Sequence, residues 1–445
     1  MKQASSFLIG APSSGSGKTT LTIGLLKMLK NRNFNVQPFK CGPDYIDTKF
    51  HTLASGNDAV NLDLFLSSPH HVKQLYSKYS KEKDACVVEG VMGLFDGYDK
   101  LNGSSAQIAE LLNIPVVLVI NAKSMAYSAA PLLHGFKNFW PALNIAGAIF
   151  NFVGSDSHYR FLKEACADVG IEPLGYIPKL QDVEISSRHL GLSFGNQQAM
   201  NDAIDEAATL IEKHINVDKL LELTTPQSSH HTSGLQLLLD KIESKKAQQP
   251  YSNSILKIAV AKDEAFTFTY AQNITILKQM GEVIYFSPVH DKRLPTADLV
   301  YLPGGYPELY LPQLSDNKEM LEAIRSHAEN DGKLLAECGG MMYLSETIKD
   351  KEGIAYPMVG IFKQQASMYQ PRLSLGYRTF EYNGIEVKGH EFHYSQIEEN
   401  NIPSIAQLYN ARGTEINTKL LRYKNTIAGY THIYWGEWDL MKLFS

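Results

Sequence analysis

Cysteine is scarce in this chain of 445 residues, which has four cysteines. They lie at Cys41, Cys86, Cys166 and Cys338. No two of them form a CxxC pair, and no histidines cluster beside them at ligand spacing, which argues against a structural zinc site and against a disulfide framework. We therefore expect a reducing, cytoplasmic setting.

The sequence also lacks long apolar runs and an excess of positive charge. The N-terminal stretch MKQASSFLIGAPSSG has too short an apolar run for a signal peptide, and no apolar stretch reaches transmembrane length. A formal net charge of −5 gives no global attraction to nucleic acid or to an anionic membrane. We expect neither as a partner, so an anionic ligand must be held by local basic residues.

Short apolar runs alternate with amphipathic helical stretches through most of the chain, a pattern typical of parallel sheets covered by helices. We predict an α/β protein with two doubly wound, mainly parallel-sheet domains, residues 1–223 and 255–445. The polar, turn-rich segment 224–254 is predicted to be a linker around one short helix. The predicted strands are Ser6–Gly10, Asn35–Phe39, Ala85–Glu89, Val116–Ile120, Ile145–Phe150, Leu256–Ala261, Val283–Phe286, Leu299–Leu302 and Lys333–Glu337.

The segment FLIGAPSSGSGKTTLTIGLL indicates a phosphate-binding loop, because an apolar strand runs into a Gly/Ser loop and then a helix. Gly15 and Gly17 permit the tight loop, and Lys18 is expected to reach phosphate oxygens. The Thr19 hydroxyl is a candidate Mg²⁺ ligand, and Thr20 follows it into the helix. Pro12 stands where the strict pattern has glycine. The alternative is a chance turn with an exposed lysine.

Acidic residues follow the next two strands, at the edge where ligands bind in open α/β sheets. Asp44 and Asp47 in KCGPDYIDT are candidates for positioning substrate and metal, the alternative being a helix cap and a solvated carboxylate. Glu89 ends an apolar strand as a Walker-B-type carboxylate does, so Thr19, Asp47 and Glu89 form the predicted metal site.

Two weaker candidates come from the same half, one a further carboxylate beside Glu89 and the other a contact to the nucleotide base. Asp96 lies in a segment with three glycines, EGVMGLFDG, that allows backbone to approach a ligand closely. Asn151 follows a later strand, where its amide could contact the nucleotide base.

Cys338 lies in KLLAECGGMMYL, between a predicted strand and a predicted helix. A thiol on such a turn, beside a helix N-terminus, is suited to nucleophilic attack, with the Gly339 N–H facing the oxyanion. A second Gly-Gly turn in LVYLPGGYPELY offers another oxyanion donor, Gly304 or Gly305, and His432 is a candidate base. The alternative is a buried structural thiol.

Eight stretches occur in the order found in the cobyrinic acid a,c-diamide synthases, and the chain resembles that family over nearly its whole length. They are APSSGSGKTT, KCGPDYIDT, EGVMGLFDG, SSRHLGL, LPGGYPELY, AECGGMMYL, LGYR and GHEFHYS. The resemblance implies an ATP-dependent amidoligase domain of the dethiobiotin-synthetase type, followed by a class I glutamine amidotransferase domain. It implies Mg²⁺ as cofactor, ATP and L-glutamine as co-substrates, and a corrinoid polycarboxylate as substrate in cobalamin biosynthesis.

The resemblance also assigns roles to matching residues. Lys18 and Thr19 match the phosphate and Mg²⁺ positions, and Cys338 and His432 match the glutaminase nucleophile and its base. The acidic residues around the metal and the activated carboxylate match Asp44, Asp47 and Glu89.

Two departures from the wider amidotransferase pattern stand out. Ala336 replaces a glycine before the cysteine, and Tyr434 replaces a glutamate two residues after the histidine, so we expect a Cys-His dyad without a carboxylate orienter. Candidates for holding the polycarboxylate are Arg188, Arg372, Arg378, His390 and His393.

Rival hypotheses remain at this level. Hydrogenobyrinic acid and Ni-sirohydrochlorin are alternative tetrapyrrole substrates, and cobyric acid synthases share the layout. A ParA-like nucleotide switch with a non-catalytic C-terminal domain is the rival from another class, and a homodimer is left open.

Overall fold

A computed structural model describes residues 4–179, 197–226, 255–398 and 401–445. The predicted linker 224–254 lies almost entirely outside these ranges, and so does Arg188. No helix within the described ranges is both long enough and apolar enough to cross a bilayer.

The first half is built on one parallel sheet of seven strands, in the order β3-β2-β4-β1-β5-β6-β7. Its strands are β1 Ser5–Gly10, β2 Val36–Cys41, β3 Val60–Leu62, β4 Ala85–Glu89, β5 Val116–Asn121, β6 Ile145–Val153 and β7 Glu172–Pro178. The central strands are buried along almost their whole length, as expected of a parallel sheet covered on both faces. The strands predicted here are confirmed within a few residues.

Eight helices of the first half are described. They are α1 Lys18–Asn31, α2 Ile46–Ser55, α3 Pro69–Ser80, α4 Ser105–Leu112, α5 Ala129–Phe139, α6 Asp156–Val169, α7 Gln197–His214 and α8 Val217–Thr224. Several begin at a serine whose hydroxyl accepts a backbone N–H of the first turn, as Ser68, Ser104 and Ser155 do. The first helix differs, because its N-terminus is left to face the phosphate loop without a side-chain cap.

The core sheet of the second half has the order β10-β8-β11-β13-β23-β22, and all its pairs are parallel except β22–β23. Its strands are β8 Leu256–Ala261, β10 Gly281–Phe286, β11 Leu299–Leu302, β13 Lys333–Glu337, β22 Leu420–Tyr423 and β23 Thr426–Gly429. The helices are α9 Ala271–Met280, α10 Leu311–Asp316, α11 Lys318–Glu329 and α12 Gly339–Tyr343. The doubly wound core predicted for this half is confirmed.

Smaller sheets in the second half were not predicted from the sequence. One pairs β9 Phe266–Phe268 with β12 Gly304–Gly305, and two others contain four and five strands. Those strands are β14 Ser345–Lys349, β15 Ala355–Pro357, β16 Phe362–Ser367, β17 Ser374–Tyr382, β18 Ile385–His393, β19 Gln396–Ile397, β20 Leu408–Asn410, β21 Glu415–Ile416 and β24 His432–Tyr434. They matter for the site because β24 carries His432.

The two halves meet through an aromatic cluster that we call the interface cluster. Its buried members are Tyr45, Phe65, Leu66, Phe268, Tyr270 and Tyr434. Hydrogen bonds across the same boundary join the Tyr377 hydroxyl to Asp63 at 2.7 Å and His71 Nε2 to the Tyr434 hydroxyl at 2.7 Å. This packing places the segments that follow β2 and β3 in the first half against β9 and β24 of the second.

Candidate functional site

The loop between β1 and α1 has the backbone conformation that a phosphate cradle requires. Gly15 and Gly17 have φ of 76° and 94°, values at which a side chain would be strained. A Cβ at Gly17 would also collide with the amide of Asn151, whose Nδ2 donates to the Ser16 carbonyl at 3.1 Å. Asn151 therefore braces the loop, and the positive end of α1 faces it.

Lys18 folds back over the loop. Its Nζ donates to the Met92 carbonyl at 2.6 Å and to the Ser13 carbonyl at 3.3 Å, which joins the loops after β1 and β4. Burial and the nearby Lys40 ammonium lower the pKa of Lys18. In the second of these loops Asp96 accepts a hydrogen bond from Gly93 N at 2.9 Å, so it shapes the turn that receives Lys18.

The three predicted metal ligands converge beside this loop. The Thr19 hydroxyl lies 2.7 Å from Glu89 Oε1 and 3.2 Å from Asp47 Oδ2. Within the described ranges no cluster holds three or more His, Cys, Asp and Glu side chains suited to a metal. One hydroxyl and two carboxylates nevertheless fit Mg²⁺ at a phosphate loop, because nucleotide phosphates and water complete its shell.

Lys40 and His51 belong to this acidic cluster and were missed by the sequence analysis. Lys40 Nζ lies 2.7 Å from both Asp47 Oδ2 and Glu89 Oε1, and His51 Nε2 lies 2.6 Å from Glu89 Oε2. The signal available was a lysine near the end of the buried strand VQPFKC, followed by a histidine one helical turn after Asp47.

Opposite charges pair within the cluster, where the Lys40 ammonium contacts both carboxylates. Burial opposes ionisation of Glu89, but Lys40 and His51 outweigh it and lower the pKa of that carboxyl. Burial and the neighbouring Asp44 raise the pKa of Asp47 to about 6, although Lys40 acts in the opposite direction. A lysine ammonium thus sits between the two carboxylates predicted to bind a cation.

Asp44 and Asp47 have different environments. Asp44 Oδ1 accepts the backbone N–H groups of Ile46 and Asp47, each at 2.8 Å, so it holds the start of α2 as the capping alternative predicts. Asp47 instead points into the cluster and is buried, which excludes the solvated alternative for that residue.

Cys338 occupies the sharp turn between β13 and α12. Its φ of 48° and ψ of −107° are strained for a residue with a side chain, and its N–H donates to the Gly429 carbonyl at 2.7 Å. Only 3% of its surface is exposed. Burial and the neighbouring Glu308 raise the pKa of the thiol, so it is protonated in this conformation.

The expected oxyanion donors and base surround this turn. A Cβ added to Gly304 would lie 3.2 Å from Cys338 Cβ and 3.0 Å from His432 Nε2. The side chains of Cys338 and His432 therefore both lie against Gly304. A Cβ added to Gly339 would lie 3.0 Å from Gly305 N, which puts the two predicted donor residues side by side. The structure therefore brings Cys338, His432, Gly305 and Gly339 together.

His432 is neutral and has no orienting carboxylate in contact among the described residues. Burial and the nearby His390 lower its pKa to about 3, and neither ring nitrogen has a hydrogen-bond partner within those residues. Tyr434, at the position where other amidotransferases carry glutamate, points away and contacts His71 of the first half. The residue that departs from the wider pattern thus contributes to the contact between the halves.

Two domain models match this chain. The CobB/CobQ-like glutamine amidotransferase domain matches residues 257–439, and the CobQ/CobB/MinD/ParA nucleotide binding domain matches residues 7–192. A cobyrinate a,c-diamide synthase from Caldanaerobacter subterraneus is 40% identical over 96% of this chain and 94% of its own length. Proteins of the same name from Listeria innocua and Salmonella typhimurium are 38% and 37% identical, over 98% and 97% of this chain and 98% and 95% of their own lengths.

The chain belongs to the cobyrinate a,c-diamide synthase family. The resemblance noted in the sequence is therefore confirmed, and the chain is a glutamine-dependent amidating ligase. Membership in this family leaves the ParA-like switch without support.

The side chains suggested to hold the family's polycarboxylate substrate are divided by the structure. Arg378 is buried in an ion pair with Glu391 at 2.9 Å, and burial, with Arg378 nearby, lowers the pKa of His390 to about 3. Arg372 and His393 instead line a cavity of about 720 Å³ in the second half, together with Lys419. Buried Arg378 and His390 are suited to a structural role. Arg372 and His393, which line the cavity, remain candidates for binding an anion.

Proposed function

We propose that this chain uses ATP and glutamine to amidate the a and c acetate carboxylates of cobyrinic acid through acyl-phosphate intermediates, as a step of cobalamin biosynthesis. The observation that carries the proposal is the direct contact between the two candidate sites. The Tyr45 ring, adjacent in sequence to Asp44, packs against His432 with the ring centroids 4.7 Å apart. Near full-length relatives that are named for this reaction support the choice of substrate.

The two halves supply what the reaction requires. A carboxylate resists attack by ammonia because it is negatively charged and would have to expel oxide. Transfer of the ATP γ-phosphoryl group to the carboxylate gives an acyl phosphate, from which ammonia displaces phosphate to form the amide. Ammonia is scarce and mostly protonated at neutral pH, so local release from glutamine is needed.

On the ligase side, the loop N–H groups and Lys18 would hold the ATP phosphates. Thr19, Asp47 and Glu89 would hold Mg²⁺, which when bound neutralises charge on the phosphate oxygens. Asp44 and Asp47 would orient the substrate carboxylate at the same edge of the sheet. Asn151 braces the phosphate loop, and contact with the base stays a prediction.

On the glutaminase side, the Cys338 sulfur would attack the glutamine amide carbon while its proton passes to His432. The N–H groups of Gly305 and Gly339 would face the developing oxyanion. The proton then leaves with ammonia, and water cleaves the thioester to give glutamate. The imidazole of His432 is neutral and has a nitrogen lone pair for that proton, but burial lowers its pKa to about 3 and makes it a weak base while the site is enclosed.

The test is a product analysis with purified protein, Mg²⁺, ATP, glutamine and cobyrinic acid. Mass spectrometry should show two successive carboxylate-to-amide changes, with one ADP and one glutamate formed per amide. The same assay with hydrogenobyrinic acid or Ni-sirohydrochlorin in place of cobyrinic acid shows which tetrapyrrole the protein amidates. The proposal is abandoned if glutamate and ADP form at the same rate with and without every corrinoid offered.

A further inference from the structure

Tyr45 is the one aromatic residue in KCGPDYIDT, the segment that carries both acidic candidates. Its backbone directly precedes α2, which begins with the N–H groups held by Asp44. Movement of Asp44 or Asp47 on binding a nucleotide, a cation or a carboxylate would therefore be transmitted to this residue through the backbone.

The Tyr45 side chain leaves its own half and inserts among residues of the other. Its ring lies 4.7 Å from the His432 ring, 4.8 Å from Tyr270 and 5.5 Å from Phe268, measured between centroids. It is stacked on Phe268 with an interplanar angle of 15°. Only 6% of Tyr45 is exposed, so the ring is fully enclosed by the interface cluster.

This ring packs on the proposed base of the glutaminase site and, together with Phe268 at a centroid distance of 6.2 Å, covers it. His432 is 1% exposed and Cys338 3% exposed, which is too little surface for glutamine to reach either group without a rearrangement. The same enclosure accounts for the lowered pKa of His432, since burial is its main cause. Glutamine hydrolysis therefore needs the cover over His432 to shift.

We propose that Tyr45 is a positioning residue that couples the two sites, by covering His432 until ligand binding at the acidic loop moves the start of α2. This inference rests on the proposed function. It gives Tyr45 no chemical step in the reaction. Its role is to keep glutamine from being hydrolysed when no carboxylate is ready to accept ammonia.

The experiment compares Tyr45→Ala with the full-length wild type in two measurements. The first is glutamate release from glutamine alone, without ATP or cobyrinic acid, which we expect to rise on the order of tenfold in the variant. The second is the ratio of glutamate to amide in the complete reaction, which we expect to rise from near one to well above it. A merely structural defect would lower both activities together and leave the ratio unchanged.

Two further variants keep the test decisive. Ser68→Ala removes the hydroxyl that caps α3 and that bonds to Glu437 of the other half at 2.6 Å, and it should behave as wild type in both measurements because neither contact involves His432. Tyr45→Leu retains apolar volume in the interface cluster and replaces Tyr45→Ala if that variant does not fold. The proposal is overturned if the Tyr45 variants match Ser68→Ala in both readouts, or if their release of glutamate falls.

Failure of the proposed function would look different. In that case the wild type would form no amide from cobyrinic acid with either glutamine or ammonium. The Tyr45 proposal would still be tested, because glutamate release from glutamine alone can be measured in Tyr45→Ala and in Ser68→Ala.

Discussion

In the phosphate-loop half, Lys40, Asp47, Glu89 and His51 meet within hydrogen-bonding distance, and the Lys40 ammonium pairs with both carboxylates. In the cysteine half, burial raises the pKa of the Cys338 thiol and lowers that of His432, so both groups are neutral. In the first site the Lys40 ammonium lies between the two carboxylates predicted to bind a cation. The second has its residues in place but is enclosed. The difference teaches that the ligase half holds its polar groups as paired charges, whereas the glutaminase half holds its reactive groups neutral and buried.

Cys338→Ala is the change expected to have the largest effect. Glutamine-dependent amidation should fall by roughly 10⁴-fold or more because no other group can form the thioester. Amidation driven by ammonium salts should persist, since the ligase site is untouched. Both are measured by mass spectrometry of the corrinoid product. Cys166→Ala, a buried cysteine of α6, is the control that should keep both activities. Equal loss of the two activities in Cys338→Ala would contradict the division of labour.

Lys18→Ala should disable the ligase half, on which both ammonium-driven and glutamine-driven amidation depend. Without its ammonium, transition-state charge on the phosphates is less stabilised, so ammonium- and glutamine-driven amidation should both fall on the order of 10²–10³-fold. ADP formation is the measurement. Lys27→Ala, which removes a partly exposed lysine of the same helix, is the control and should keep normal turnover. If ammonium-driven turnover survives in Lys18→Ala, the loop is not where ATP is activated.

Local patterns carried most of what the sequence predicted. The phosphate loop, the strand ending in Glu89 and the Cys-Gly-Gly turn each lie in one short segment, so spacing along the chain was enough to identify them. The doubly wound cores followed from short apolar runs that alternate with helical stretches. The strands β14 to β21 were missed because they mix polar with apolar residues and lack an apolar run, even in β17 and β18 with nine residues each. Strand β24 was missed because it has only three residues.

Contacts between distant segments could not be predicted. Lys40 meets Glu89 only because β2 pairs with β4 in a register that puts the two residues opposite each other. The packing of Tyr45 on His432 depends on how the two halves dock, which no single segment encodes. The cytoplasmic setting, the division at 224–254 and a homodimer stay predictions.

Lys40→Met tests whether the ligase cluster really depends on that ammonium. Two buried carboxylates would lose their counter-charge, so we expect a loss of about 3–5 kcal/mol in the free energy of unfolding when Mg²⁺ is chelated. Added Mg²⁺ should restore part of it, because it binds the folded state at the same carboxylates. Urea unfolding with EDTA and with Mg²⁺ measures both. Lys27→Met should show neither effect. An unchanged midpoint in Lys40→Met with EDTA would mean that the cluster does not require its lysine.

Glu337→Gln tests the enclosed half, with the smallest expected effect. Glu337 precedes Cys338 and accepts hydrogen bonds from the Tyr301 hydroxyl at 2.7 Å and Ile433 N at 2.9 Å. Burial raises its pKa to about 8, above the ordinary value of 4.5. A raised pKa means that the folded state binds the proton more tightly, so the stability it contributes is complete below pH 4.5 and is lost as pH rises towards 8.

Glutamine stays neutral throughout and can still accept from Ile433 N while donating to Tyr301. The free energy of unfolding of Glu337→Gln should therefore fall less between pH 5 and 8.5 than that of the wild type, by on the order of 1–3 kcal/mol. Urea unfolding at the two pH values measures it, and Glu381→Gln, which changes an exposed carboxylate, should follow the wild type. Parallel pH profiles for Glu337→Gln and wild type would show that the carboxyl beneath the Cys338 turn is already ionised, and that the glutaminase half tolerates buried charge as the ligase half does.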